Sequence, residues 1–321
     1  MRSKKKKKNK TSMKKLALVL FTLTLITSCN IEPLDSAYNQ GGGGNQGGGS
    51  ESADLSMSVY ELDTKINVVF LGTPIETITN SELHITNNKI ASGTNALSAN
   101  GSPFENEDVI LTRNSSGQII NDKSVNSAGV TTNETVITYT NGVVSNITYD
   151  YYDNDEDDYN YNFTYDGNII TRTEPGSTIS TQFTVDGQDR VIKKESFDGE
   201  FSIQTETIAY NAAGNITSST TTGETQSNTT YQFDDKSNPL QVIYEDNYIL
   251  TFLKDDYSDE IGGQIAQFLS TNNWNGASFN GTAFNFDLEY NTVGRIKSRD
   301  IAYNFGPELS FEFNEVFSYI N

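Results

Sequence analysis

The sequence predicts an all-β fold: an antiparallel meander of about 16 strands in repeated hairpins, rolled or superhelical as a single sheet, an open barrel or half-barrel. Three observations lead there. From about Leu55 onward the chain is rich in Thr, Ser, Asn, Tyr, Ile, Val and Phe, residues of strands and turns, and the whole chain has only 6 prolines. A short turn pattern recurs along it. Between the turns, apolar and polar residues alternate: Tyr159, Tyr161, Phe163 and Tyr165 share one face, as do Phe284, Phe286, Leu288 and Tyr290.

The turns come first, because they set the strands. Tyr210-Asn211-Ala212-Ala213-Gly214-Asn215-Ile216 and Tyr290-Asn291-Thr292-Val293-Gly294-Arg295-Ile296 share one spacing. The stretch from Arg113 to Ile119 repeats it with Arg113 in the aromatic place. The stretch from Val185 to Val191 repeats it with Asp189 in place of the glycine. Phe233 to Leu240 is a longer copy, and shorter ones lie at Thr86 to Ile90, Thr140 to Val143 and Tyr165 to Ile169. Asn or Asp in the first turn position accepts a hydrogen bond from the backbone two residues on. Gly in the fourth supplies a positive φ, which lets a type I turn close a hairpin through a bulge. Asp166-Gly167 and Asn141-Gly142 suit two-residue turns. The turns centre near 87, 115, 141, 166, 187, 212, 235 and 292, so each unit holds two strands and the long last gap holds an insertion, 255–283.

The copies at Ile208–Ile216 and Leu288–Ile296 resemble the YD repeat, also called the RHS repeat. Phe233 to Leu240 is similar to a segment of YD-like repeat lipoproteins of Bacteroidota. The resemblance covers roughly residues 80–300 and implies β architecture, with little about activity.

Within the insertion, Ile261, Ile265, Phe268 and Leu269 fall on one helical face. They predict one short helix near 259–270, capped by Ser258 or Asp259, that covers or plugs an opening of the rolled sheet. Gly262 and Gly263 weaken it by about 1 kcal/mol each.

The N-terminus reads as an address. Residues 1–28 hold nine of the 22 basic residues and no acidic one, followed from Leu16 by an apolar run too short to span a bilayer. The segment Ile26-Thr27-Ser28-Cys29 resembles the lipobox of bacterial lipoproteins, which implies cleavage after Ser28 and lipidation of Cys29. Asn30 in the next place implies delivery to the outer membrane, on its periplasmic or its cell-surface side. Glu32 and Asp35 resemble weak surface-export signals of Bacteroidota lipoproteins. Residues 29–54 form the lipidated cysteine and a tether through GGGGNQGGG, flexible by composition, with an r.m.s. span of roughly 25 Å and a limit of about 70 Å. Residues 55–321 form one β-repeat domain.

Composition narrows the function. One Cys excludes internal disulfides and cysteine metal clusters, and one His excludes multi-histidine metal sites. The formal charge is -20, and without residues 1–28 it becomes -29, with 13 basic against 42 acidic residues. Such a chain repels nucleic acid and anionic headgroups, so membrane attachment rests on acyl chains at Cys29.

Four candidate sites stand beside their structural alternatives. Asp153, Asp155 and Asp157 have the alternate spacing of a calcium loop. Asp158 and Thr164 occupy the places where such a loop needs Gly and Glu, so the other reading is a solvated hairpin tip. Apart from calcium, no cofactor is implied. Trp274, flanked by asparagines, suits stacking on a sugar, or else packs in the core. Tyr159 and Tyr161 belong to a tyrosine-rich strand that is either a binding face or sheet cover. His84 lies in a strand pattern without a paired nucleophile. The expectation is a lipid-anchored, non-catalytic envelope module that binds a glycan or an envelope protein. A glycan-processing enzyme with a carboxylate pair is the alternative. An integral barrel is disfavoured by the polar strand faces and the charge.

Overall fold

The computed structural model describes residues 56–152, 158–244 and 252–320. Cys29, the tether and Asp153, Asp155 and Asp157 lie outside the described residues. The body is one antiparallel sheet of nineteen strands. They are β1 (Met57–Phe70), β2 (Thr73–Thr86), β3 (Lys89–Ala99), β4 (Ser102–Arg113), β5 (Ile119–Asn126), β6 (Thr131–Thr140), β7 (Val143–Tyr151), β8 (Tyr159–Asp166), β9 (Ile169–Thr173) and β10 (Ile179–Val185). Then follow β11 (Val191–Asp198), β12 (Phe201–Tyr210), β13 (Ile216–Gly223), β14 (Ser227–Ser237), β15 (Asn272–Phe279), β16 (Thr282–Asn285), β17 (Asp287–Tyr290), β18 (Ile296–Asn304) and β19 (Leu309–Tyr319).

Each strand pairs with its sequence neighbour except β16 with β17, and β1 pairs with β19, so the meander closes into a barrel with one seam. At the seam, β16 and β17 are two halves of one strand bent at Phe286: the first half bonds β15 and the second bonds β18. Where backbone bonds are missing, rings fill in, with Phe284 and Phe286 lying 5.1 and 5.8 Å from Tyr303.

The expected count of about 16 strands falls short for a topological reason. The eight recognised turns join sixteen strands. The chain ends supply β1 and β19, which meet where a ninth turn would stand. The bend at Phe286 splits one further strand.

The repeated turns form as their chemistry requires. Asn211 Oδ1 accepts from the N–H groups of Ala213 and Asn215 at 2.9 and 3.1 Å, and Asn114, Asp186 and Asn291 do the same in their turns. Gly117, Gly214 and Gly294 take positive φ, and Asp189 takes that place at φ 60. The short turn after β8 uses Gly167-Asn168, one residue later than the sequence suggested, with Gly167 at φ 58.

All these turns lie at one end of the barrel, together with both chain ends. The aliphatic residue after each turn points inward: Ile90, Ile119, Val144, Val191, Ile216 and Ile296 are each 5 % exposed or less. A tyrosine ladder ties each unit to the one before it. Tyr139, Tyr165, Tyr210 and Tyr319 donate their hydroxyls to the carbonyls of Ile119, Val144, Val191 and Ile296 at 2.8–2.9 Å. Arg113 serves the same role toward Ile90. Replacing Tyr210 by Phe should cost about 1–2 kcal/mol, one buried hydrogen bond, in urea unfolding. The same change at Tyr139 should add to it independently.

The outer wall is mostly polar, with Asp63, Asn80, Asn162, Gln232, Asp300 and Glu312 exposed on six of the strands and Ile110 and Val136 as exposed apolar residues among them. The inner wall holds the core. Its alternate residues include Phe183, Val185, Ile208 and Phe163, but also the buried Arg172, Lys194, Gln204, Glu206 and Glu315.

Candidate functional site

Polar inner residues need partners, and the chain between β14 and β15 supplies them. This excursion covers 238–271, so it starts before the predicted 255–283 and ends before it, while 272–283 belongs to the wall. It carries α1 (Pro239–Tyr244) and, inside the predicted 259–270, α2 (Gly262–Gln264), which runs on as one π-helical turn over Ile265–Leu269. Ile261, Ile265 and Phe268 are buried, as their spacing implies.

The excursion plugs the barrel from wall to wall. Leu240, Ile243, Tyr244 and Phe268 pack against Met57, Tyr60, Leu83 and Ile90 on one side. On the other side, wall side chains grip backbone carbonyls of the plug. Lys194 Nζ donates to the carbonyls of Asp256 and Asp259 at 2.7 Å each. Arg172 donates to those of Leu253 and Asp255, Ser196 to Tyr257, and Gln204 to Ser258. Gly262 fits close to the wall: a Cβ there would stand 2.4 Å from the Tyr231 hydroxyl.

The helix start is capped by the wall rather than by Ser258 or Asp259. Glu206 accepts from the N–H groups of Ile261 and Gly262 at 2.7 and 3.0 Å. Burial pushes its carboxyl up to about 7, although those two donors and Lys194 pull the other way. Asp259 is also raised to about 7, by burial and by the charge of Asp255. Burial lowers Lys194.

A second buried cluster sits on the facing wall. Arg299 and Glu315, cross-strand partners in β18 and β19, form a bidentate ion pair at 0 % side-chain exposure. Tyr60 and Gln267 also donate to Glu315, at 2.5 and 3.0 Å, and Arg299 donates to the Trp274 carbonyl across the seam.

The sequence-stated candidates fall in different places. Trp274 is 5 % exposed on the inner wall, its ring edge-on to Phe286 at 4.7 Å and its Nε1 donating to the Gly276 carbonyl. The packed alternative therefore applies, and no sugar face can reach the ring. Tyr159 and Tyr161 are half-buried and also face inward. They stack on each other at 4.4 Å, Tyr159 stacks on Tyr149, and Arg172 lies over Tyr161 at 4.3 Å. Their outward neighbours Asn160 and Asn162 make the exposed surface instead. His84 projects from the outer wall beside Glu82. Among the described residues, no three His, Cys, Asp or Glu side chains gather to hold a metal.

Within the lumen, Arg172, Lys194, Gln204 and Glu206 hold the plug, and Arg299 and Glu315 hold each other. Sequence reading missed Arg172, Lys194 and Glu206, because their partners are backbone groups 55 to 83 residues away.

No family model and no curated protein sequence matches the chain. The solved structures to which the chain shows some likeness include two porin-like proteins. A porin-like protein from Bacteroides uniformis ATCC 8492 has 11 % identity over 82 % of this chain and 96 % of that chain, with a TM-score of 0.43. A porin-like protein from Bacteroides vulgatus ATCC 8482 has 10 % identity over 80 % of this chain and 97 % of that chain, with a TM-score of 0.23.

Proposed function

We propose that the protein is a lipid-anchored envelope module. In this reading acyl chains on Cys29 hold it in the outer membrane, the barrel stands in water on the Gly-rich tether, and it acts by binding a glycan or an envelope protein without catalysis. The observation that carries the reading is the outer wall. A barrel that sits in lipid shows an apolar band about 25 Å tall, whereas Asp63, Asn80, Asn162, Gln232 and Glu312 line this one. The plug supports the non-catalytic part, because it fills the lumen with the chain's own backbone.

Fractionation tests the anchor. The wild-type protein should incorporate labelled palmitate and stay with outer membranes through an alkaline wash. The Cys29→Ala protein should do neither and should leave the membrane fraction. A Cys29→Ala protein that resists the wash would overturn the anchor and point to an embedded barrel. Protease shaving of intact cells then assigns the face.

A further inference from the structure

The two ends of the barrel differ, and the end remote from the tether is the unusual one. At its hairpin tips, Leu71, Val130, Tyr152, Phe201 and Phe305 are 85, 58, 55, 79 and 53 % exposed. They sit on five different hairpins around the ring. At the tether end, most turn tips are Asn, Ser or Gly; Val293 is the exposed apolar residue on a turn, with Val242 and Ile320 exposed beside the turns.

Leu71 is the most telling of the five. It opens a two-residue turn at φ 50, a left-handed conformation that L side chains with carbon at Cγ adopt with strain. The sister turns put asparagine there: Asn100 at φ 48, Asn141 at φ 55 and Asn280 at φ 48. Nothing in the turn rewards leucine, since its side chain stands in solvent. Beside it, a groove of about 340 Å³ opens between the β1–β2, β3–β4 and β18–β19 tips, its apolar lining from Val69, Ile75 and Leu309 and its polar lining from Asn67, Glu76 and Asn100.

Charge chooses the occupant. Among the described residues, the remote turns carry Glu174, Glu200, Glu224 and Glu308 and no Lys or Arg. The basic turn residues Lys89, Arg113, Arg190, Lys236 and Arg295 all lie at the tether end. A second copy docking rim to rim would press carboxylates together, and an anionic bilayer would repel the rim. A cationic face fits both the apolar tips and the acids between them.

We propose that the remote rim is a docking face for a protein surface that is apolar and ringed by Lys or Arg. This rests on the anchored reading above, which points the rim away from the membrane.

The test uses the full Cys29→Ala chain, immobilised on a biosensor, so that binding is read independently of where the protein sits in the cell. A failed rim would leave the fractionation result standing, and a failed anchor would leave the binding result standing. The probes are an amphipathic Leu/Lys helical peptide and its Gln/Lys counterpart of equal charge. The wild-type rim should hold the Leu/Lys peptide about tenfold more tightly than the Gln/Lys one. Leu71→Asn, Phe201→Ser and Phe305→Ser together should remove that tenfold, while Val293→Ser at the tether end should not. These positions are exposed, and Leu71→Asn suits its turn, so thermal unfolding should be unchanged or raised. Equal binding of the Leu/Lys peptide by wild type and triple variant would overturn the proposal. So would a rim-dependent dimer in sedimentation, or rim-dependent flotation with zwitterionic vesicles, since each names a different occupant.

Discussion

Replacing Arg299 by Leu should destabilise the barrel by about 3–5 kcal/mol, because it leaves Glu315 charged and buried without its cation. Both side chains are at 0 % exposure. Burial works against the charge of Arg299, yet Glu315 outweighs it and holds the guanidinium above its ordinary range. The pair also organises its surroundings. Glu315 receives Tyr60 and Gln267, and so links β1, β19 and the plug, while Arg299 reaches the Trp274 carbonyl, which lies beyond the pairing of β15 with β16. Removing the cation alone therefore leaves a buried carboxylate with only two neutral donors, Tyr60 and Gln267. Replacing both partners with Leu should recover most of the loss, because two apolar side chains of similar bulk leave no orphaned charge. Urea unfolding of the two single variants and the double variant reads the difference. A single variant that loses less than about 1 kcal/mol would mean that water reaches Glu315.

The second large effect is on pH. Stability should fall as the pH rises from about 4.5 to about 7, by roughly 3 kcal/mol for Glu206 alone. The sign follows from the protons. Glu206 titrates at 4.5 in an exposed chain and at about 7 in the fold, where burial opposes its charge. Between those values the folded protein holds a proton that the unfolded chain has released, so each rise in pH favours unfolding. Asp259 works in the same direction, raised from 3.8 to about 7, and Asp255 is raised beside it, so that these two titrate as a pair. Thermal unfolding should drop by about 5–10 °C between pH 5 and pH 8. Glu206→Gln should flatten the slope, though it also weakens the cap on the helix start. A melting temperature that does not change over this range would show that the plug leaves these carboxyls in water.

How much of this was legible in the sequence depends on how local each instruction is. Asn211 and Gly214 specify their turn within five residues, and the structure follows them. The helix face of Ile261, Ile265 and Phe268 is equally local. The remote hairpin tips do not follow one repeated pattern: Leu71-Gly72, Asn100-Gly101 and Asn280-Gly281 are two-residue turns, Asn126 to Gly129 repeats the longer asparagine-led turn of the tether end, and the other tips follow neither. Closure was illegible, since no feature of β1 or β19 alone says that they pair. The plug contacts were hidden in another way. Gln204 and Glu206 alternate with Thr205 and Thr207, so both faces of β12 read as polar, and nothing local marks which face is inside. Trp274 had two chemically sensible fates, and only packing against Phe286 separates them.

The meeting of the first strand with the last has a consequence for how the protein is made. Met57 pairs with Tyr319, and the Ile320 N–H bonds the Ser56 carbonyl. Each hairpin between them closes over a short stretch of chain, but the ring cannot seal until residues some 260 positions apart find each other. During synthesis the first strand emerges with one edge open and must wait, unprotected, for the whole remainder of the polypeptide. An open edge in a crowded compartment is an invitation to pair with the wrong chain. The charges along the outer wall of β1, Glu61, Asp63 and Lys65, stand beside that waiting edge. Charges on an open edge disfavour pairing with another chain, and that protection is needed only until the circle is complete.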